Sequence, residues 1–286
     1  METLLAHSFD YLSSYDPSKI RKGLRQVEGL LAQICLSKSK HSPGEKRRSG
    51  TSHPVPKALG ELKDDPAFRE FFKLQESFQW NVALRLVSCL EHLLGRASSG
   101  TNDLLIIATL DLIQGILLLH PPSRALFARE IYMNLLLDLL DPSNCPAVQS
   151  ATLLTLVTAL LDSPANTRTF EALDGLLTVT SLFKQRATAR EVKLKLVEFL
   201  YFYLMPETPT VPGAGTSAPN TAQRHPSRLA GASSRSVNGA GGRDGRGSRV
   251  TRTTGEKQAL LGRYLNNVED LVEDLKETAP FGSTVY

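Results

Sequence analysis

The sequence predicts an all-α fold whose helices stack in repeating layers, and three observations carry that prediction. The first is an internal echo at a spacing of 43 residues. Sliding Ala151–Val157 forward by that interval lands on Leu194–Leu200, with apolar on apolar at positions 151, 153, 154, 156 and 157. Phe127 falls on Phe170, Leu139 on Leu182, Leu140 on Phe183, Leu160 on Tyr203 and Leu161 on Leu204. One unit earlier, Ala108, Leu110, Ile113, Leu117 and Leu118 match the same set. The second is proline where a helix must stop or restart, at Pro121, Pro122, Pro142, Pro146 and Pro164. The turn Pro121-Pro122-Ser123-Arg124 thereby faces Pro164-Ala165-Asn166-Thr167 one period later. The third is that strand alternation is missing from Asn102 onward through the helical stretch. A helical period in the forties points to an armadillo/HEAT-like solenoid, whose repeats cannot bury their apolar faces alone. Folds of that class present surfaces more often than reactive centres.

In chain order, Asp16-Pro17 opens the first helix with an N-cap acceptor and a proline at the first helical position. Ile20, Leu24, Val27, Leu31 and Ile34 follow on one face, and the helix is expected to end near Ser37. Residues 38–57 hold Pro43, Gly44, Lys46-Arg47-Arg48, Gly50, Pro54 and Pro56, which reads as a mobile polar loop. Asp65-Pro66 repeats the cap-plus-proline device and starts a long helix to about Leu94, closed by Gly95. Its apolar face takes in Phe68, Phe72, Phe78, Val82, Leu86 and Leu93, and a kink or split is expected over such a length. Helices over about 103–119, 123–140, 146–161, 165–184 and 188–204 complete a helical domain spanning 1–205. Residues 206–255 are rich in Gly, Ser, Pro and Arg, a composition that cannot offset the entropy of ordering, so this interval reads as a disordered linker. The last segment, 256–286, is a C-terminal helix and tail. It has Leu261, Leu265, Val268, Val272 and Leu275 at 4-3-4-3 spacing. Two heptads are too few for an independent coiled coil. The helix is therefore expected to dock, on its own chain by preference or else on a partner.

Charge is distributed unevenly. Of the formal +4, the linker contributes Arg224, Arg228, Arg235, Arg243, Arg246, Arg249 and Arg252 against Glu207 and Asp244, a balance of +5 that leaves about −1 elsewhere. A phosphate-tracking surface on the helical body is not supported by that balance. Nucleic-acid binding through the basic linker stands as the alternative function, weakened because the linker has no aromatic side chain for base stacking. Cys35, Cys89 and Cys145 stand singly, a usage that fits a reducing intracellular compartment. Met1–Asp10 lacks the basic flank and apolar run of a signal peptide, and the run Leu104–Leu119 is too short to span a bilayer. A cytoplasmic protein without membrane insertion is expected.

The search for chemistry is negative. No two of the histidines at 7, 41, 53, 92, 120 and 225 have the i, i+4 spacing of paired metal ligands, and Cys-x-x-Cys does not occur. The glycine runs near Gly213 and Gly239 neither follow an apolar strand nor lead into Gly-Lys-Ser/Thr. A cysteine-phosphatase loop needs arginine six residues after cysteine, and those positions are His41, Gly95 and Ala151. The pairs Asp64-Asp65 and Glu269-Asp270 fall at a helix start and on a charged face, where capping and solvation account for them. No catalytic residue, metal or cofactor is expected.

A partner-binding face is the sharper expectation. Along Arg190–Leu204 a core face of Val192, Leu196, Leu200, Tyr203 and Leu204 leaves Arg190, Lys193, Lys195, Glu198, Tyr201 and Phe202 off it. Exposed aromatics with a charged rim are the composition of a binding hot spot. The competing reading packs Tyr201 and Phe202 against the C-terminal helix or the next layer. Arginine-flanked Ser236, Ser248, Thr251 and Thr253 are candidate phosphorylation sites, where a phosphate would reverse local positive charge.

The folded part resembles the fungal cell division control protein 14 family of the septation initiation network. The resemblance rests on Asp65-Pro66-Ala67-Phe68-Arg69-Glu70-Phe71-Phe72-Lys73-Leu74-Gln75, Phe78-Gln79-Trp80-Asn81, His120-Pro121-Pro122-Ser123-Arg124, and Ala189–Lys193 running into Phe199–Leu204. It implies a non-catalytic partner of a germinal-centre-type protein kinase, acting at the spindle pole body to time septum formation and cytokinesis. The family shares a name with a dual-specificity phosphatase family but not its chemistry.

Overall fold

A computed structural model describes residues 1–36, 56–95, 101–207, 251–269 and 273. Among the described residues there is no named strand, so the all-α expectation holds; one isolated antiparallel bridge joins Leu36 and Pro56. The helices are α1 (Glu2–Leu12), α2 (Pro17–Cys35), α3 (Leu59–Asp64), α4 (Pro66–Gln75), α5 (Val82–Leu94) and α6 (Asp103–Leu119). A 3-10 helix over Pro121–Ala128 follows. Beyond it come α7 (Glu130–Asp138), α8 (Pro146–Leu160), α9 (Pro164–Ala172), α10 (Gly175–Lys184), α11 (Arg190–Leu204) and α12 (Thr254–Leu261).

Local chemistry sets the starts. The Asp16 carboxylate accepts from Ser18 N at 2.8 Å and the Asp65 carboxylate from Ala67 N at 2.8 Å, each just before a proline at the first helical position. Several boundaries differ from the sequence reading. The long helix expected from Pro66 to Leu94 splits, because Asn81 adopts an extended backbone and its Oδ1 accepts from Leu84 N at 2.8 Å. Gln75 stabilises the break by accepting from Val82 N at 2.8 Å. Phe78 sits in that break, 76% exposed, rather than on the core face. The interval 123–140 divides at Arg129, which is extended, into the 3-10 helix and α7. The interval 165–184 divides at Asp174, whose φ of 56° is left-handed; a Cβ on the following Gly175 would stand 2.2 Å from the Phe170 ring. Helices α1 and α3 were not expected at all. The loop expected at 38–57 lies outside the described residues except at Pro56 and Lys57.

The core follows the repeat. Helices α6, α8 and α11, whose starts are spaced like the echo, pack side by side, with α5 and α2 against α6 on the other flank. Leu110, Ile113, Leu156, Leu196 and Leu200 are fully buried between them. The matched turns join one layer to the next through polar groups. Arg124 donates to Leu117 O at 3.1 Å and Leu161 O at 2.9 Å. Buried Asn166 donates to Arg124 O at 2.8 Å and Ala159 O at 2.6 Å, and Thr155 reaches Leu110 O at 3.3 Å. Satisfying these buried carbonyls removes a desolvation cost that the turns would otherwise carry. At the N-terminal end α1 lies across α2, placing Leu5, Phe9 and Leu12 in the core. The crossing is close at Gly23, where a Cβ would stand 3.0 Å from Ser8 O. Among the described residues no single helix is long and apolar enough to cross a membrane.

Candidate partner-binding face and the C-terminal clasp

Helix α11 is the last of the stacked series. It begins without a side-chain cap at Ala189, with Glu191 complementing the dipole in its first turn, and ends where Met205 turns extended. Val192, Leu196, Phe199, Leu200, Tyr203 and Leu204 bury one face against α8. Of the candidate contact residues, Arg190 and Glu198 are exposed, while Lys193, Lys195, Tyr201 and Phe202 are half-buried. Lys195 Nζ pairs with the Glu198 carboxylate at 2.8 Å along the helix surface, an interaction worth at most about 0.5 kcal/mol in stability. Phe202 packs onto the core, its ring 6.3 Å from that of Phe199, so it belongs more to the fold than to a free surface. The sequence reading missed the leucines that the stacked helices leave to solvent: Leu194 on α11 is 58% exposed and Leu154 on α8 is 38% exposed. The echo conceals Leu194, because it matches it with buried Ala151 and so takes it for a core position, although α11 turns it outward.

Beside this face the chain returns. Beyond residues 208–250, residues 251–268 lie against the end of α11 as a strap comprising α12 and the turns after it. Thr253 caps α12, its hydroxyl accepting from Glu256 N at 3.3 Å while Glu256 accepts from Thr253 N at 2.8 Å. Leu261 and Val268 are fully buried. Of the candidate phosphorylation sites, Thr253 is thus an exposed helix cap and Thr251 is half-buried next to it; Ser236 and Ser248 lie outside the described residues. The C-terminal helix expected from Glu256 to Thr278 is helical through Leu261, breaks into turns over 262–267 and is helical again at Val268, Glu269 and Glu273 among the described residues. Glu207 and Thr251–Gly255, at the edges of the expected linker, carry defined structure.

The strap is held by a network of charges. Glu207 N donates to Arg252 O at 3.2 Å and the Glu207 carboxylate accepts from Arg252 N at 2.8 Å. Arg252 Nε donates to Glu171 at 3.1 Å. Lys257 Nζ donates to Met205 O at 3.0 Å, pairs with Glu207 at 3.2 Å and stands 5.1 Å over the Tyr203 ring. Arg168 of α9 pairs with both Glu171 and Glu207, and Tyr203 OH donates to Glu171 at 2.8 Å. Glu207, Glu171 and Lys257 keep 8%, 10% and 5% of their side-chain surface. Burial raises the Glu171 carboxyl above its ordinary value against the pull of Tyr203 and Arg168, and burial lowers the Lys257 ammonium against the pull of Glu207. Burial and the adjacent Glu171 raise the Tyr203 phenol, which therefore stays protonated as a donor. Among the described residues no group of three or more His, Cys, Asp or Glu side chains is arranged to hold a metal ion.

The family described as "Cell division control protein 14, SIN component" matches residues 1–281. The chain is 30% identical over 291 residues to "Cell division control protein 14" of Schizosaccharomyces pombe (strain 972 / ATCC 24843), covering 99% of this chain and 97% of that protein. No solved structure matches. With the alignment running through the stacked helices and on past the strap, the chain belongs to the cell division control protein 14 family of SIN components.

Proposed function

We propose that this protein is a non-catalytic scaffold that binds a germinal-centre-type protein kinase and supports its activation within the septation initiation network. It would act in the cytoplasm and at the spindle pole body to control septum formation and cytokinesis. The observation that supports the reading most directly is the outer surface of α11, where Leu194 stands in solvent on the same helix as the Lys195–Glu198 pair. Apolar anchors rimmed by charge suit a protein partner. The stacked helices supply a preformed platform, and binding one kinase conformation in preference to another shifts its population toward that state. The armadillo/HEAT-like reading of the stack belongs to the same proposal.

The test is to add the purified chain to the kinase at fixed concentration. Kinase activity rises and the two proteins co-purify. Unchanged activity together with no co-purification removes the proposal. Lys195→Glu, which sets like charge beside Glu198, and Leu194→Asp weaken the complex while the thermal midpoint stays in place. A lowered midpoint with intact binding assigns both residues to the fold instead.

A further inference from the structure

The clasp described above is divided between two parts of the chain in a telling way. The carboxylates of Glu171 and Glu207, the Tyr203 ring and the Met205 carbonyl all belong to the end of the helical body. The cations that meet them, Arg252 and Lys257, belong to the strap, on the far side of residues 208–250. Removing the strap leaves a recess in which Arg168 can balance one of the two carboxylates, and the other faces an aromatic floor without a counter-ion. That is an acidic recess shaped for side-chain cations. One of them is received by a ring, a carboxylate and a backbone carbonyl together, and the other by a carboxylate with a backbone bond beside it.

We propose that the recess formed by Glu171, Glu207 and the Tyr203 ring is a docking site for a segment bearing two basic side chains five residues apart. The chain's own strap fills it in cis through Arg252 and Lys257, and a basic segment of a partner protein takes it when the strap leaves. Three features carry this inference. The strap's backbone is held at Arg252 by one main-chain bond, Glu207 N to Arg252 O, and one side-chain bond, Arg252 N to the Glu207 carboxylate. Its contacts include buried ion pairs, whose mutual attraction is largely offset by the cost of taking each charge out of water, so the strap grips less firmly than a wholly apolar helix of the same area would. It is also tethered. Residues 208–250 join it covalently to the body, so docking is intramolecular and a weak ligand is kept in place. Cutting the tether therefore separates the site from its occupant.

The experiment uses the full chain with a protease cleavage site inserted between residues 220 and 235. Before cleavage the strap stays docked. After cleavage the C-terminal fragment is expected to leave the body at micromolar concentration, and to leave more readily as NaCl rises from 0.1 to 0.5 M. A fluorescent peptide of residues 249–268 then binds the emptied body at least tenfold more tightly than it binds the uncut chain. Arg252→Ala or Lys257→Ala in the peptide, and Glu207→Gln in the body, each weaken that binding at least tenfold. An unrelated helical peptide carrying arginine and lysine at the same spacing displaces the probe, and its glutamate counterpart does not. A fragment that stays bound through 1 M NaCl, or a body that unfolds as the fragment leaves, overturns the proposal, because the strap is then part of the fold. Alanine peptides that bind as well as the parent overturn the assignment of the recess, and failure of the unrelated basic peptide to compete overturns the partner's chemistry. Each of these outcomes is read without the kinase, so it stands apart from the kinase-scaffold reading.

Discussion

The two ends of the helical stack are both covered by a short helix, and they are covered by opposite physics. At the N-terminal end α1 lies directly on α2 through Leu5, Phe9 and Leu12, with backbone meeting backbone at Gly23. At the C-terminal end the strap reaches the body with ion pairs around Glu207, and with Leu261 of α12 and Val268 beyond it as its buried apolar residues. Burial of apolar area depends little on NaCl and on small changes of pH, whereas charges are screened to the extent that they stay in solvent, as Arg252 does with 34% of its side-chain surface. One cover is therefore built to stay. The other is built to respond to its surroundings.

The largest effect that bears on this contrast is at the N-terminal end. Leu5→Ala removes a fully buried side chain and is expected to cost about 2–5 kcal/mol in urea unfolding, by the same amount at 0.05 and 0.5 M NaCl. Salt sensitivity of that loss would break the comparison. Next is Glu207→Gln at the other end, which leaves Lys257 without its carboxylate and Arg168 with Glu171 alone. Amide hydrogen exchange over α12 is expected to accelerate about tenfold, equivalent to about 1.4 kcal/mol of local opening, with α1 unchanged. Salt added to the parent protein should act in the same direction. Gly23→Ala is smaller. Crowding at the α1–α2 crossing costs about 1–3 kcal/mol and the gain in helix propensity returns about 1 kcal/mol, so a net loss near 1 kcal/mol is expected in the unfolding midpoint.

The smallest effect concerns acid pH at the start of α4. The hydrogen bond from Lys57, reinforced by the Ala67 amide, holds the Asp65 carboxyl below its ordinary value of 3.8. A lowered folded value means the contribution is complete above the ordinary value and is lost as pH falls through the folded one. Exchange at the amides of residues 67–69 should therefore be flat from pH 7 to 5, after correction for intrinsic rates, and rise below about pH 4. Asp65→Asn should abolish that rise; its persistence would assign the acid response to another carboxylate.

Much of the stack was legible because its causes are local or periodic. Asp16-Pro17 and Asp65-Pro66 set helix starts through a single side chain, and the echo at 43 residues matches α6, α8 and α11, which pack side by side. The splits were less legible. Asn81, Arg129 and Asp174 break helices through their own backbone angles, while apolar spacing runs on past them unchanged. Helix α1 carried a readable pattern in Leu5, Phe9 and Leu12 but no cap to announce it. The clasp was not legible, since Glu207 and Arg252 meet across an interval with no periodicity, and neither residue looks unusual in its own neighbourhood. On the candidate face, Arg190 and Glu198 stand exposed, whereas Phe202 is half-buried because α11 brings its ring to 6.3 Å from that of Phe199.

The bonds at Asn166 and Arg124 carry one more consequence. Each ties the backbone of one layer to a turn of the next at a fixed offset, inside the protein where water cannot substitute. Sliding or splaying the layers would strand several of these groups at once, so deformation is costly even where the apolar contacts would tolerate it. The stack is thus a stiff gauge: whatever docks on it must bend to its shape, and the work of conformational adjustment falls on the guest.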